Sequence, residues 1–200
     1  MKYTRNQNLL DIIEIQPEIF YDFRGEYIET WNKKYYEQIN KMVKQDIEWV
    51  QDDVSVSKKH VFRGLHGDYK TWKLIQCLQG DILVAIVDMR KESPTLHKHI
   101  LITINDKNRK QLLIPPGFAN GHLVMSDSCI FSYKQSTYYD GMDKQFTVRG
   151  DDPLIGIKWP IQYSILSSRD KYAKNIHISY EPPPTLKLNV SRSFLIPQKD

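Results

Sequence analysis

The sequence predicts a mainly-β protein, a sandwich or barrel of short strands with one early helix. Three observations predict it. From Ile47 onward, apolar residues recur at strand spacing in short runs. Turn signals such as Gln79-Gly80 and Asn105-Asp-Lys-Asn108 separate those runs, and no regular exchange of strand with helix marks a parallel α/β fold. Only one stretch, roughly Lys33 to Lys44, carries a helical period, with Tyr36, Ile39 and Val43 recurring at that spacing.

Leu9 to Ile15 reads as a first strand, closed by Pro17. Phe20 to Glu29 follows as an extended segment in which Gly25 marks a bulge. Trp31-Asn32 is the entry to the helix, with Asn32 as its cap. Strands are then expected at Trp49 to Gln51, Ser55 to Phe62, Leu74 to Leu78 and Asp81 to Asp88. His97 to Ile104 alternates, and Gln111 to Ile114 is another strand. Pro115-Pro-Gly-Phe-Ala-Asn-Gly-His122 reads as a rigid loop, followed by strands at Leu123 to Met125 and Cys129 to Gln135.

A chain of 200 residues suits one domain, here expected over residues 1–170. The remainder, 171–200, changes character. Glu181-Pro-Pro-Pro184 within it must be extended, and the tail is expected to pack on the body or on a neighbouring subunit.

Apolar content of 40%, 12% aromatics and a formal charge of +4 exclude a disordered chain and give no basic stripe for a nucleic acid. The mild positive balance fits a small anionic ligand better. Cys77 and Cys129 sit in apolar runs without CxxC spacing, which favours buried free thiols over a disulfide framework or a zinc site. The first residues lack an apolar signal segment and no run approaches a membrane span, so the expectation is a cytoplasmic protein with no membrane partner.

The stretch Val61-Phe-Arg-Gly-Leu-His66-Gly-Asp-Tyr-Lys-Thr-Trp-Lys73 concentrates chemistry. Arg63 can fork onto a phosphate, His66 can titrate near neutral pH, and Lys73 can stabilise a developing oxyanion. The reading places all three on one strand edge, with Gly64 allowing close backbone approach. Asp170 is a candidate to orient His66, since a carboxylate on one imidazole nitrogen fixes the tautomer and raises the basicity of the other. Tyr133 and His122 are further candidates, although from the residues alone a core tyrosine bonded to backbone is the better account of the first, and a histidine that merely holds its loop accounts for the second. His97 and His99, two apart on one expected strand, lack a third ligand at matching spacing, so no metal site is assigned.

Taken in order, the pieces become specific. Phe20-x-Asp-x-Arg-Gly-x-Tyr-x-Glu, Val50-Gln-Asp-Asp-x-Ser-x-Ser57, Arg63-Gly-Leu-His66, Val87-Asp-x-Arg-x-x-Ser-Pro-Thr95, Ile114-Pro-Pro-Gly-Phe-Ala-x-Gly-His122, Tyr133-Lys and Ser167-x-Arg-Asp170 are collinear over residues 9–172. In this order they resemble the dTDP-4-dehydrorhamnose 3,5-epimerase family. The resemblance implies a cupin-type β-jelly roll with one or two short helices, a homodimer that exchanges N-terminal strands, a nucleotide-linked 4-keto-6-deoxy sugar as substrate, and no metal or organic cofactor. It makes His66 with Asp170 the base, Lys73 the enolate stabiliser and Tyr133 the acid. Arg63, and Arg24 from the partner subunit, would hold the diphosphate. Gln51, Asp53, Ser55, Glu29 and His122 would contribute to substrate binding, with Tyr139 and Gln145 toward the nucleotide.

Three departures concern substrate choice. Asp53 stands where the rhamnose enzymes usually have asparagine, Val84 where an inward aspartate is common, and Gln145 where a glutamate often contacts thymine. The loop between His66 and Lys73 is also short. The Arg63-Gly-Leu-His-Gly-Asp68 form and the Gln145-Phe-Thr147 segment resemble a divergent branch that includes epimerases of GDP-linked 4-keto-heptoses, so the expected nucleotide is dTDP or GDP, and the epimerised carbon C3, C5 or both. A sugar-nucleotide-binding cupin without turnover is the alternative from another class.

Overall fold

Strands that are apolar on both parities need cover on both faces, and the chain supplies it by stacking two sheets and then covering each outer face. The computed structural model describes residues 1–176. In chain order, β1 (Lys2–Arg5) and β2 (Ile13–Gln16) precede a hairpin of β3 (Ile19–Asp22) and β4 (Gly25–Ile28), and then helix α1 (Lys33–Val43). Eight strands follow: β5 (Gln51–Lys58), β6 (Phe62–Gly67), β7 (Lys73–Gln79), β8 (Asp81–Asp88), β9 (His99–Asn105), β10 (Gln111–Ile114), β11 (Phe118–Val124) and β12 (Ser128–Gln135). The described residues end with β13 (Phe146–Thr147) and the short helix α2 (Ser168–Lys171).

One sheet has the order β1-β2-β10-β7-β12-β5 and the other β13-β6-β11-β8-β9, with every pair antiparallel. This is the jelly-roll sandwich that the resemblance implies, mainly β with few helices. Its core lies between the sheets, where Ile75, Leu112, Ile114 and Phe131 of one meet Ile82, Val84, Ile86, Ile104 and Val124 of the other. Strand β8 shows why its sequence is a continuous apolar run. Ile82, Val84 and Ile86 face that core, while Ala85 and Val87 face a second cluster on the outer side with Val148, Ile155 and Ile157.

Helix α1 covers the outer face of the six-stranded sheet. Asn32 caps it by accepting from the Lys34 amide at 2.9 Å, and the chain turns out of it at Lys44 with φ 55°. Tyr36 and Ile39 are buried against Ile13, Ile15 and Leu113, each burial stabilising by about 1.5–3 kcal/mol. The Tyr36 hydroxyl donates to Gln111 Oε1 at 2.7 Å, so the polar tip is also satisfied. No helix among the described residues is long and apolar enough to cross a membrane.

Several expected boundaries need correction. Leu9 lies in a turn whose amide bonds to Asn6 Oδ1, so the strand expected from Leu9 begins at Ile13. Gly25 is not a bulge but the first residue of β4, at φ 128°, in a tight hairpin. The strands expected at Trp49–Gln51 and Ser55–Phe62 are one strand, β5, and the turn through His60 at φ 63° puts Phe62 into the opposite sheet. His97, also left-handed at φ 64°, precedes β9, so it does not share a strand face with His99.

The largest correction is the segment expected to be a rigid loop up to His122. It is strand β11, in the interior of the five-stranded sheet, and Leu123 and Val124 are its end rather than a separate strand. Asn120-Gly121 looks like a turn in sequence. Its glycine serves another purpose: a Cβ on Gly121 would lie 2.7 Å from the Arg63 carbonyl and 3.0 Å from Gly64 Cα. Two glycines therefore let β6 and β11 approach closely. The stretch Glu181 to Pro184 lies outside the described residues.

Candidate active site

The close pairing of β6 with β11 sets the floor of a cavity of about 490 Å³ between the two sheets, within the usual range for a small-molecule site. β6 and β11 face β5, β7 and β12 of the six-stranded sheet, and the segment through α2 closes one side. Arg63, His66 and Lys73 all reach this cavity, though not from one strand edge. The first two stand on β6 and Lys73 opens β7, so they approach from opposite sheets.

Asp170 comes to His66 from 104 residues away. The chain before α2 returns along β6, where the Phe62 amide bonds to the Ile165 carbonyl at 3.0 Å and Val61 bridges Ile165 in parallel. Ser167 then caps α2, accepting from the Asp170 amide at 3.2 Å, which turns the carboxylate inward. His66 Nε2 lies 2.5 Å from Asp170 Oδ1, and the carboxylate side chain is 2% exposed. Burial alone would raise the Asp170 pKa, but bonds from His66, Ser167 and the Gly64 backbone hold it below the usual carboxylate value. Burial lowers the His66 pKa against the pull of Asp170, and Arg169 and Lys73 lower it further. The imidazole is thus neutral near pH 7, with Nε2–H on Asp170 and Nδ1 left as the basic nitrogen.

Lys73 is buried, and its Nζ donates to Asn120 Oδ1 at 3.3 Å. Burial lowers its pKa, Asp68 opposes this, and Arg169 adds to it. No carboxylate within the described residues pairs with it directly. An ammonium desolvated with one neutral acceptor is disposed to meet an anion. His122 is buried and stacked on Phe131 with ring centroids 4.3 Å apart, and its Nε2 has no partner among the described residues. Burial, with Arg63 and His66 nearby, takes its pKa down to about 3, so it stays neutral.

Tyr133 lines the cavity and packs on Phe131, and no bond from its hydroxyl to backbone is found among the described residues. Burial raises its pKa; Asp53 and Tyr139 add to this and Arg63 opposes it. Ser55, Tyr139 and Gln145 also line the cavity, and the Ser55 hydroxyl is buried without a partner among the described residues.

The other expected binding residues lie elsewhere. Asp53 and Gln51 do not line the cavity but share the β5 face of Ser55, which does: Asp53 Oδ2 accepts from Gln51 and Gln135, each at 2.8 Å, and Gln51 Oε1 accepts from the Tyr139 amide. Arg24 is at the hairpin tip, paired with Asp22 at 2.6 Å, and Glu29 accepts from Asn32 at 3.2 Å, so neither reaches the cavity of its own chain. Conversely, Asn120, Gln135 and Arg169 line the cavity without having been singled out. Arg169 Nε donates to Thr147 Oγ1 and Nη1 to Gln145 Oε1, while Nη2 is buried with no partner among the described residues. Its place beside Asp170, and that of Gln135 two residues from Tyr133, were the available signals. Asn120 was hidden by the misread strand.

The cavity thus joins a carboxylate-backed neutral imidazole, a phenol, and three cationic side chains, a combination suited to proton transfer on an anionic ligand. No group of three or more His, Cys, Asp or Glu side chains among the described residues is placed to hold a metal ion.

Residues 6–177 match the family model of dTDP-4-dehydrorhamnose 3,5-epimerase. The chain is 38% identical to the dTDP-4-dehydrorhamnose 3,5-epimerase of Shigella flexneri over 163 residues, covering 80% of this chain and 88% of that protein. Among solved structures, the dTDP-6-deoxy-D-glucose-3,5-epimerase of Legionella pneumophila, in complex with dTDP-4-keto-L-rhamnose, is 32% identical with a TM-score of 0.81, covering 88% and 93% of the two chains. The Bacillus anthracis dTDP-4-dehydrorhamnose 3,5-epimerase, with TDP and PPi bound, is 34% identical with a TM-score of 0.80, covering 87% and 98%. With a matching fold, a collinear sequence and a cavity equipped for proton transfer, the chain belongs to the dTDP-4-dehydrorhamnose 3,5-epimerase family of isomerases.

Proposed function

We propose that this chain inverts C3 and C5 of a dTDP-linked 4-keto-6-deoxyhexose by stepwise proton removal and return. The carrying observation is that His66 and Tyr133 enter one cavity from opposite sheets. A sugar ring held between them meets a base on one face and an acid on the other. His66 Nδ1 takes the proton from the carbon next to the C4 carbonyl, and the electron pair moves onto O4 as an enolate. Lys73 donates to that oxygen, which lowers the barrier most where charge is largest. At C5 Tyr133 then gives its proton to the opposite face of the same carbon and regains one from solvent; at C3 the returning proton comes from solvent water on that face, and in both steps His66 releases its own proton to solvent. The balance closes without a metal or organic cofactor.

Arg63 and Arg169 suit the diphosphate, since both guanidiniums line the cavity and Arg169 Nη2 is buried without an acceptor among the described residues. Arg24 and Glu29 are assigned to the site of a neighbouring copy in a homodimer. The hairpin that carries Arg24 supports this, for Phe20, Tyr21, Phe23 and Tyr27 are all exposed on it. The reaction is placed in the cytoplasm.

The test is deuterium incorporation from heavy water into dTDP- and GDP-linked 4-keto-6-deoxy sugars, a GDP-4-keto-heptose included, with exchanged carbons located by NMR. Exchange at C3 and C5 of the dTDP-hexose is expected. Exchange at C3 alone, or only in a GDP sugar, would overturn that part of the reading, and tight binding without any exchange would make the chain a binding protein.

A further inference from the structure

Asp53 is not among the residues that line the cavity, yet it shares the β5 face of Ser55 and faces the acid. In the ladder between β5 and β12, Asp53 is directly opposite Tyr133 and Gln51 opposite Gln135, a register that brings facing Cβ atoms to roughly 5 Å. Asp53 Oδ2 takes both glutamine amides at 2.8 Å, and no cation is within ion-pair distance of it among the described residues. The neighbouring Asp52, not Asp53, takes Lys134. Two neutral donors therefore fix the carboxylate in place without cancelling its charge.

The groups that face Tyr133 can be named element by element. Asp53 comes from β5, Arg63 and His66 from β6, Lys73 from β7, His122 from β11, Tyr139 from the segment after β12, and Arg169 and Asp170 from α2. Asp170 is turned onto His66 from α2, so Asp53 is the carboxylate that stands directly opposite Tyr133. It strengthens the hold of the phenol on its proton, adding to burial.

We propose that Asp53 is a positioning residue that governs proton donation by Tyr133 and, through it, the ratio of C5 to C3 epimerisation. A fixed negative charge beside the phenol makes it a weaker acid and opposes negative charge developing at the carbon Tyr133 serves. His66 is not opposite Asp53 in either sheet and its basicity is set by Asp170. The charge thus slows the step that depends on Tyr133 relative to the step that depends on His66 alone. The C5 part of this inference rests on the function proposed above.

Asp53→Asn keeps an oxygen for both glutamine amides and removes the charge. Tyrosine labelled with ¹³C at Cζ, assigned by comparison with Tyr133→Phe, reports the Tyr133 titration in the protein without ligand. The midpoint is expected to fall by about one pH unit, the effect of removing one nearby charge across a partly solvated gap. If roughly half of that change reaches the transition state, the ratio of deuterium incorporated at C5 to that at C3 rises about threefold. An unmoved midpoint overturns the proposal. A lowered midpoint with an unchanged or smaller C5 to C3 ratio overturns its link to C5. A lowered midpoint in a protein that exchanges no nucleotide sugar leaves the electrostatic coupling standing and removes the epimerase reading instead. Should Asp53→Asn fold poorly, Asp53→Ser removes the same charge and is read in the same way.

Discussion

Asp170→Asn tests the dyad most directly, because the direction of its pH effect is not the intuitive one. The carboxylate is almost fully buried and its bond to His66 Nε2 is 2.5 Å, a charge-assisted hydrogen bond worth about 1.5–3 kcal/mol. Losing it costs about tenfold to 150-fold in kcat/KM. Asparagine also offers an NH2 group that can turn toward His66 and favour the wrong tautomer, which adds to the loss. Asp170 raises the His66 pKa against burial and two cations, so removing its charge lowers that pKa further. The variant is expected to be slower at neutral pH while its acid limb moves to lower pH, since His66 then stays in its base form in more acidic solution. The assay is initial deuterium exchange at C3 across pH 5–9, with affinity followed by calorimetry. A rate within twofold of the parent, or an acid limb displaced upward, would refute the reasoning.

Three further perturbations test other parts of the site. Lys73→Met should lower kcat by about 10²–10³ while preserving or raising Tm, because a buried ammonium with one hydrogen bond contributes little to folding; a large drop in Tm would contradict that account. Arg169→Met should raise KM about tenfold to a hundredfold with kcat nearly retained, the pattern of lost uniform binding, and a selective fall in kcat would assign Arg169 to the chemistry instead. Gly64→Ala should lower Tm by about 5–10 °C, for the new Cβ would sit 2.5 Å from Gly121 Cα at a φ of 132°. A Tm within 1 °C of the parent in a melting scan would show that β6 and β11 separate freely.

The reach of the sequence differed between the elements and the site. The α1 period, the Asn32 cap and the β8 run were legible because they depend on neighbours within a few residues. The candidate site residues His66, Lys73, Tyr133 and Asp170 were legible because their order matches a family, not because any local pattern joins them. Local reasoning failed at β11, where Gly121 reads as a turn former until Gly64 of another strand is seen against it.

By itself, then, the sequence determined a mainly-β chain, one early helix, and the residue types available for proton chemistry on an anionic sugar. Only the tertiary structure decided that Lys73 and His66 come from opposite sheets, that Asp170 meets His66 across 104 residues, that Asn120, Gln135 and Arg169 line the cavity, and that Asp53 stands opposite Tyr133. The physical reason is that spacing along a strand settles which face a side chain takes. Which other face it meets depends on strand order and register, and those are set by non-local pairings that a linear pattern does not encode.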